Sequence, residues 1–190
     1  MKVFAVSDMH GRLEGLDPKG ADLVVVAGDF GIMYGWGERD LNDQVVWANT
    51  KLREWCSSYP KTQFRFVPGN HDLFAQHEEL LADVCWPENA KLLIDAADEV
   101  EGLRIYGSPW VPFINGSWAF EEVWQGQLAE KFAAIPEGVD LRYALCGHIH
   151  TGDHNPIVLN HDDGRKTIVR NVSRLDEEYE IRFEPYVFEL

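Results

Sequence analysis

The chain has 190 residues, 45% hydrophobic and 26% charged, with 17 Lys and Arg against 32 Asp and Glu, a formal charge of −15. That length fits a single domain over residues 1–190, and the composition excludes intrinsic disorder and collagen. The longest apolar run, Leu23 to Ala27, is too short to cross a bilayer, and with no basic block beyond Arg165-Lys166 a long nucleic acid is a poor partner.

Val3 to Val6 is a β-rich apolar run and predicts a buried strand. Leu23 to Ala27 predicts a second, ending in Gly28-Asp29. From Glu38 to Cys56 the apolar residues Leu41, Val45, Ala48, Leu52 and Trp55 recur every three or four positions, the pattern of an amphipathic helix. Phe64 to Val67 predicts a third strand, closed by Pro68-Gly69. Asp72 to Ala82 reads as a helix, 91–94 and 103–106 as strands, and Phe120 to Ala134 as a helix stopped by Pro136. Tyr143 to Cys146 predicts another strand. Asp163-Gly164 between β-prone flanks predicts a hairpin. Tyr179, Ile181 and Phe183 alternate as in a half-exposed strand. Early alternation of strand and helix, then mostly strands, points to an α/β half followed by a second sheet.

Four of these strands end in Asp, His or Asn. They give Ser7-Asp8-Met9-His10-Gly11, Gly28-Asp29-Phe30-Gly31, Gly69-Asn70-His71-Asp72 and Gly147-His148-Ile149-His150. In open α/β sheets the loops at the carboxyl ends of strands build the site. Together these loops bring Asp8, Asp29, Asn70 and four of the chain's seven His to one place. That mix of oxygen and nitrogen donors suits Mn²⁺, Fe, Zn²⁺ or Co²⁺. Asp8 and His10 are two apart, so on extended backbone they face the same way, as do His148 and His150. Gly11, Gly28, Gly69 and Gly147 would let backbone pass close to a crowded centre or turn with positive φ.

In order and spacing this set resembles the calcineurin-like metallophosphoesterases. Asp8-Met9-His10, Gly28-Asp29, Gly69-Asn70-His71-Asp72 and Gly147-His148-Ile149-His150 match the family's motifs from residue 8 to residue 150. The resemblance implies an α/β/β/α sandwich of two sheets with a two-metal centre at the carboxyl ends of its strands. It implies that Asp8, His10 and His150 hold one metal, that Asn70 and His148 hold the other, and that Asp29 bridges. His71 would be no ligand but the general acid at the scissile phosphate. The chemistry agrees with those roles. Two cations clamp the attacking and leaving oxygens of a phosphoryl group, and a water they share is acidic enough to attack as a metal-bound hydroxide. A carboxylate has two oxygens to offer two cations, and a His with an ordinary pKa of about 6.5 can protonate a leaving alkoxide. Asp72 either orients His71 or caps the following helix, and the apolar-periodic run it begins favours the cap.

One family feature is missing. A lone ligand His sits between the third and last motifs in relatives, whereas here only His77 lies between Asp72 and Gly147, on an expected surface helix. A strand, its His loop and a helix look deleted near Asp140-Leu141. Asp29, Asn70 and His148 would remain for the second metal, which is expected to bind more weakly; His154 and His161 are the only later histidines.

Tyr34 and Trp36, in the glycine-rich loop after Asp29, are candidate substrate-binding residues, since loop aromatics stack on a nucleobase or another flat leaving group. Trp110, Phe113 and Trp118 are weaker candidates, with core packing as the competing role. Cys56, Cys85 and Cys146 form no disulfide framework, and the N-terminal strand is no signal peptide. The expectation is therefore a cytoplasmic metal-dependent phosphodiesterase or phosphatase acting on a small phosphorylated substrate, nucleotides included, without a membrane. The alternative is a degenerate relative that binds metal or a phosphorylated ligand without turnover.

Overall fold

The computed structural model describes residues 1–33, 41–122 and 140–190. Its central sheet has five strands in the order β12-β1-β2-β3-β4. β1 (Lys2–Val6), β2 (Leu23–Ala27), β3 (Gln63–Val67) and β4 (Ala90–Leu92) run parallel, and β12 (Tyr186–Glu189) pairs antiparallel with β1. Parallel strands are covered on both faces, which is why β1 and β2 read as unbroken apolar runs.

On one face Phe4, Val6, Val24, Val26, Phe64 and Phe66 pack against Val45, Ala48, Leu52 and Trp55. Those four residues lie on a helical run that passes from α1 (Leu41–Trp47) through a π-helical turn (Ala48–Leu52) into α2 (Arg53–Ser57). The expected apolar stripe is thus the buried one. On the other face Val3 and Leu23 meet Val100, Leu103 and Ile105 of a hairpin formed by β5 (Ala96–Val100) and β6 (Leu103–Gly107). Its turn, Glu101-Gly102, has positive φ at both residues, the backbone that matches strand twist. Arg65 of β3 holds Asp98 of β5 at 2.5 Å across this layer.

A three-stranded sheet follows in the order β10-β11-β9, from β9 (Tyr143–Cys146), β10 (Ile157–Asn160) and β11 (Lys166–Asn171). β10 and β11 form the hairpin expected at Asp163-Gly164. Tyr143 stacks on Phe188 of β12 at 4.2 Å, and Ser7 pairs with Ser173, so the two sheets meet beside the end of β1. The short strands β7 (Val111–Pro112) and β8 (Glu121–Glu122) pair with each other. The fold is mixed α/β with several sheets and few helices, as expected. No described helix is long and apolar enough to cross a membrane.

Three local expectations are corrected. Residues 72–82 are not one helix: a 3₁₀ turn (Leu73–Gln76) and α3 (Glu78–Ala82) are separated by extended His77. Gln44 of α1 accepts from the Phe74 N–H and donates to the His71 and Ile32 carbonyls, which holds the start of this segment in its own geometry. The tail around Tyr179 is a turn with positive φ, and the last strand is β12. The expected helix from Phe120 begins instead with left-handed Phe120 and strand β8; its remainder, 123–134, lies outside the described residues.

Candidate metal centre

The loops after β1, β2, β3 and β9 converge. Met9 and Phe30 are fully buried in the core beside Asp8, His10 and Asp29, so each anchors a loop whose polar neighbours turn the other way. The Asp8 N–H donates to the Gly28 carbonyl at 3.0 Å, and the His10 N–H to the Asp29 carbonyl at 2.9 Å, which locks the first two loops together. Asp8 (φ +52), His10 (φ +43), Asp29 (φ +49) and His148 (φ +73) all have left-handed backbone. The same-side placement of Asp8 and His10 therefore comes from strained turns, not from extended alternation; such strain gathers at functional sites.

Asp72 closes the arrangement. Its buried carboxylate accepts from the N–H groups of Gly31 (2.7 Å), Gly69 (2.8 Å) and Phe30 (3.3 Å), tying the second loop to the third. It neither caps a helix nor contacts the His71 ring through any of these bonds, so both expected roles give way to this clamp. Two glycines are required by space. A methyl at Gly69 would collide with Asp29 Oδ1 and its N–H, and one at Gly147 with Asp8 Oδ2 and Ser7 Oγ.

One ligand atom each of Asp8, His10 and His150 lies within 4.8 Å of the others, and so does one each of His10, Asp29 and His71. Ligands about 2.1 Å from a shared ion are at most about 4.2 Å apart, so only a small contraction is needed. Asp8 Oδ2 accepts from Ser7 and Ser173 hydroxyls, each at 2.6 Å, and Oδ1 from the His148 N–H at 3.0 Å. His150 Nε2 stands 3.3 Å from Asp8 Oδ1, while its Nδ1 is 2.8 Å from the Asp176 carbonyl. His148 Nδ1 is 2.8 Å from Asn70 Oδ1. Asp29 Oδ1 accepts from the His71 N–H at 2.7 Å.

The donor set fits a cation. His10 is buried, and among the described residues neither ring nitrogen has a hydrogen-bond partner. Burial, then the neighbouring His71, push its pKa down to about 3, so its lone pair is available at neutral pH. Asp8, Asp29 and Asp72 are all buried together. Burial, then Asp8 and Asp72, push Asp29 well above the usual carboxylate range. A dication among these groups would reverse that balance.

Of the other candidates, Tyr34 and Trp36 lie outside the described residues. The Trp110 indole donates to Asp95 at 2.6 Å and packs edge-on against Phe120, a structural position. Trp118 lies against His71, ring centres 4.2 Å apart. His154 stacks on Phe183, His161 bonds Thr167, and His77 is exposed, so none of the three stands in the cluster. Sequence reasoning missed Ser7, Ser173, Asp176 and Tyr179. Tyr179 packs against His10 and His150 with ring centres 5.1 and 5.0 Å apart. Only Ser7, next to Asp8, carried any signal; the other three join the site by tertiary contact.

Comparison with known proteins identifies the family. The sequence model described as calcineurin-like phosphoesterase matches residues 1–152. The human metallophosphoesterase domain-containing protein 1 is 33% identical over 163 residues, covering 74% of this chain and 46% of the human protein. The mouse protein of that name matches with the same identity and coverage. The chain thus spans about half the length of these curated relatives.

Proposed function

The chain belongs to the calcineurin-like phosphoesterase family, and from that membership we propose a metal-dependent phosphoesterase that hydrolyses a small phosphodiester or phosphomonoester. The observation that carries this reading is the Asp8, His10, His150 set, its first two members buried, around a neutral His10 that has no hydrogen-bond partner among the described residues. Asp8, His10 and His150 would hold one divalent cation and Asn70 and His148 a second, with Asp29 reaching both. Manganese is the first ion to try among those this donor set suits. Bound there, divalent cations supply the charge that docks an anionic phosphate and activates the attacking water.

The chain's own residues do the rest. The Ser7 and Ser173 hydroxyls and the His148 N–H fix the Asp8 carboxylate. Asp29 accepts from the His71 N–H and so places that imidazole at the edge of the cation set. His71 gives its proton to the leaving oxygen. Trp118 stands beside His71, which supports a flat, nucleotide-like leaving group. The charge of −15 argues against a long nucleic acid as substrate. All three cysteines are unpaired, which supports a reducing compartment such as the cytoplasm.

Turnover of bis(4-nitrophenyl) phosphate and 4-nitrophenyl phosphate with added Mn²⁺, against a chelator control, tests the reading. Asp29→Asn should drop turnover to the chelator rate while the melting midpoint holds; an active Asp29→Asn protein refutes the mechanism. Tight metal binding without turnover would favour the non-catalytic binder that the missing His suggests.

A further inference from the structure

Residues 176–180 lie beyond the end of the family match at residue 152, yet two of their groups reach the candidate ligands. The Asp176 carbonyl is 2.8 Å from His150 Nδ1. The Tyr179 ring packs edge-on against both His10 and His150. The segment has a built geometry. Asp176 Oδ1 accepts from the Glu178 N–H at 3.2 Å and the Glu180 N–H at 2.9 Å. The Asp176 N–H donates to the Glu180 carbonyl, and the Tyr179 N–H to the Asp176 carbonyl, both at 3.0 Å. Tyr179 is thereby held at φ +60, which an aromatic residue rarely adopts. Arg12, two residues after His10, reaches Glu180 at 3.3 Å and joins this turn to the first loop.

We infer that the 176–180 turn is a working part of the metal centre, in which the Asp176 carbonyl and the Tyr179 ring hold His150 and His10 in ligating orientation. The inference rests on the metal-centre reading above. A carbonyl only accepts, so Asp176 selects the His150 form with its proton on Nδ1 and leaves Nε2, the atom facing Asp8, to bind a cation. Among the described residues His10 has no hydrogen bond on either nitrogen to set its orientation. Its ring is held by the rings around it, those of His71, His150 and Tyr179. Tyr179 and Asp176 are positioning residues on this account, and their effect is on metal affinity before it is on rate.

The test is Mn²⁺ affinity of the purified full chain by calorimetry, with secondary structure monitored by circular dichroism. Tyr179→Ala, which removes the ring, should weaken binding about 10- to 100-fold, the usual cost of losing a group that orients a ligand. Asp176→Ala keeps the carbonyl but frees the Glu178 and Glu180 N–H groups that shape the turn, and should weaken binding in the same direction. Tyr179→Phe, which keeps the ring, should restore wild-type affinity. A folded Tyr179→Ala protein with wild-type affinity overturns the inference. A second measurement needs no variant. Coupling between sites is reciprocal, so Mn²⁺ should slow amide exchange across 176–180 in the wild-type chain. Slowed exchange at 8–10 and 147–150 with no change in the turn also overturns it. If the wild-type chain binds no Mn²⁺, the metal reading itself falls and takes this inference with it.

Discussion

The indole of Trp118 lies 4.2 Å from the imidazole of His71, ring centre to ring centre. Its loop is fastened to the site by the Ala119 N–H, which donates to the Asn70 carbonyl at 3.0 Å, and by buried Phe120. If His71 protonates the leaving oxygen, the leaving group sits beside this indole. Stacking on an aromatic ring contributes about 1–3 kcal/mol. Trp118→Ala should therefore lower kcat/KM for aryl and nucleotide leaving groups roughly 5- to 150-fold, and much less for methyl esters. Kinetics on matched aryl and alkyl phosphodiesters check this; an equal loss on both would make Trp118 a mere support for His71.

The strands and the site were legible to different depths, for physical reasons. β1 and β2 are buried on both faces, so they stand out as apolar runs. β5 reads Ala96-Ala97-Asp98-Glu99-Val100, with polar residues that a strand pattern does not ask for. Asp98 there satisfies buried Arg65, a partner 33 positions away that no local window contains. The site residues at strand ends were visible because each loop carries its own short motif. Asp72 was visible as a residue but not as a clamp, since its three donors come from two loops. Asp176 and Tyr179 carry no motif at all; the topology brings them in.

Gly69 has no room for a side chain. Its added methyl would meet both the carboxylate and the backbone nitrogen of Asp29, and backbone cannot give way cheaply. Gly69→Ala should displace the second loop from the third and abolish tight Mn²⁺ binding. A chain that folds by circular dichroism but shows no calorimetric signal with Mn²⁺ is the expected result. Gly20→Ala separates strain from collision: nothing lies within 4 Å of its added methyl, but its φ of +78 strains any side chain, so it should cost stability and leave Mn²⁺ binding intact.

Metal binding should release protons. Asp29 is held well above the usual carboxylate range by burial, then by Asp8 and Asp72. Burial raises Asp72 to about 7, against the lowering effect of its Gly69, Gly31 and Phe30 donors. His10, at about 3, has no proton to lose. A cation must therefore displace the proton of Asp29, and affinity rises with pH until that carboxyl is ionised in the free protein. Without metal the sign for stability is the reverse. Between the unfolded carboxylate pKa of about 3.9 and the raised folded values, the folded chain holds protons the unfolded chain lacks. The contribution of these two carboxyls therefore falls as pH rises through that window. Calorimetry at several pH values in buffers of different ionisation enthalpy should show net proton release on Mn²⁺ binding, and Asp29→Asn should remove most of it. Proton uptake would contradict the scheme.

Asp98 joins the two layers through Arg65, and both side chains are nearly buried, at 12% and 7% exposure. Lys91 adds a second contact at 2.5 Å. Removing one partner of such a pair strands the other charge, at a cost of about 3–5 kcal/mol. Asp98→Ala should lower stability by that order in urea titrations. The bond to Lys91, opposed by burial and helped by Arg65, holds the Asp98 carboxyl below its usual pKa. Its contribution is therefore present above the unfolded pKa and is lost as pH falls through the folded one. In Asp98→Ala that acid-side loss should be smaller.

The two metal positions should differ in affinity. Asn70 Oδ1 and His148 Nδ1 already engage each other at 2.8 Å. A second cation must part them, or take His148 through Nε2 and Asn70 through its remaining lone pair. Asp29 would be shared, and the lone His that the family resemblance implies between the third and last motifs has no counterpart, since His77 is exposed and lies only five positions after Asp72. Three protein ligands suffice for a catalytic metal with open positions, so on the proposed reading a second site would persist with one imidazole fewer. Mn²⁺ titration should resolve one tight site and one at least about tenfold weaker, a difference of about 1.4 kcal/mol. His148→Ala should abolish the weak site and leave most of the tight one, which keeps Asp8, His10 and His150. Two equally tight sites would show that a residue outside this set completes the second.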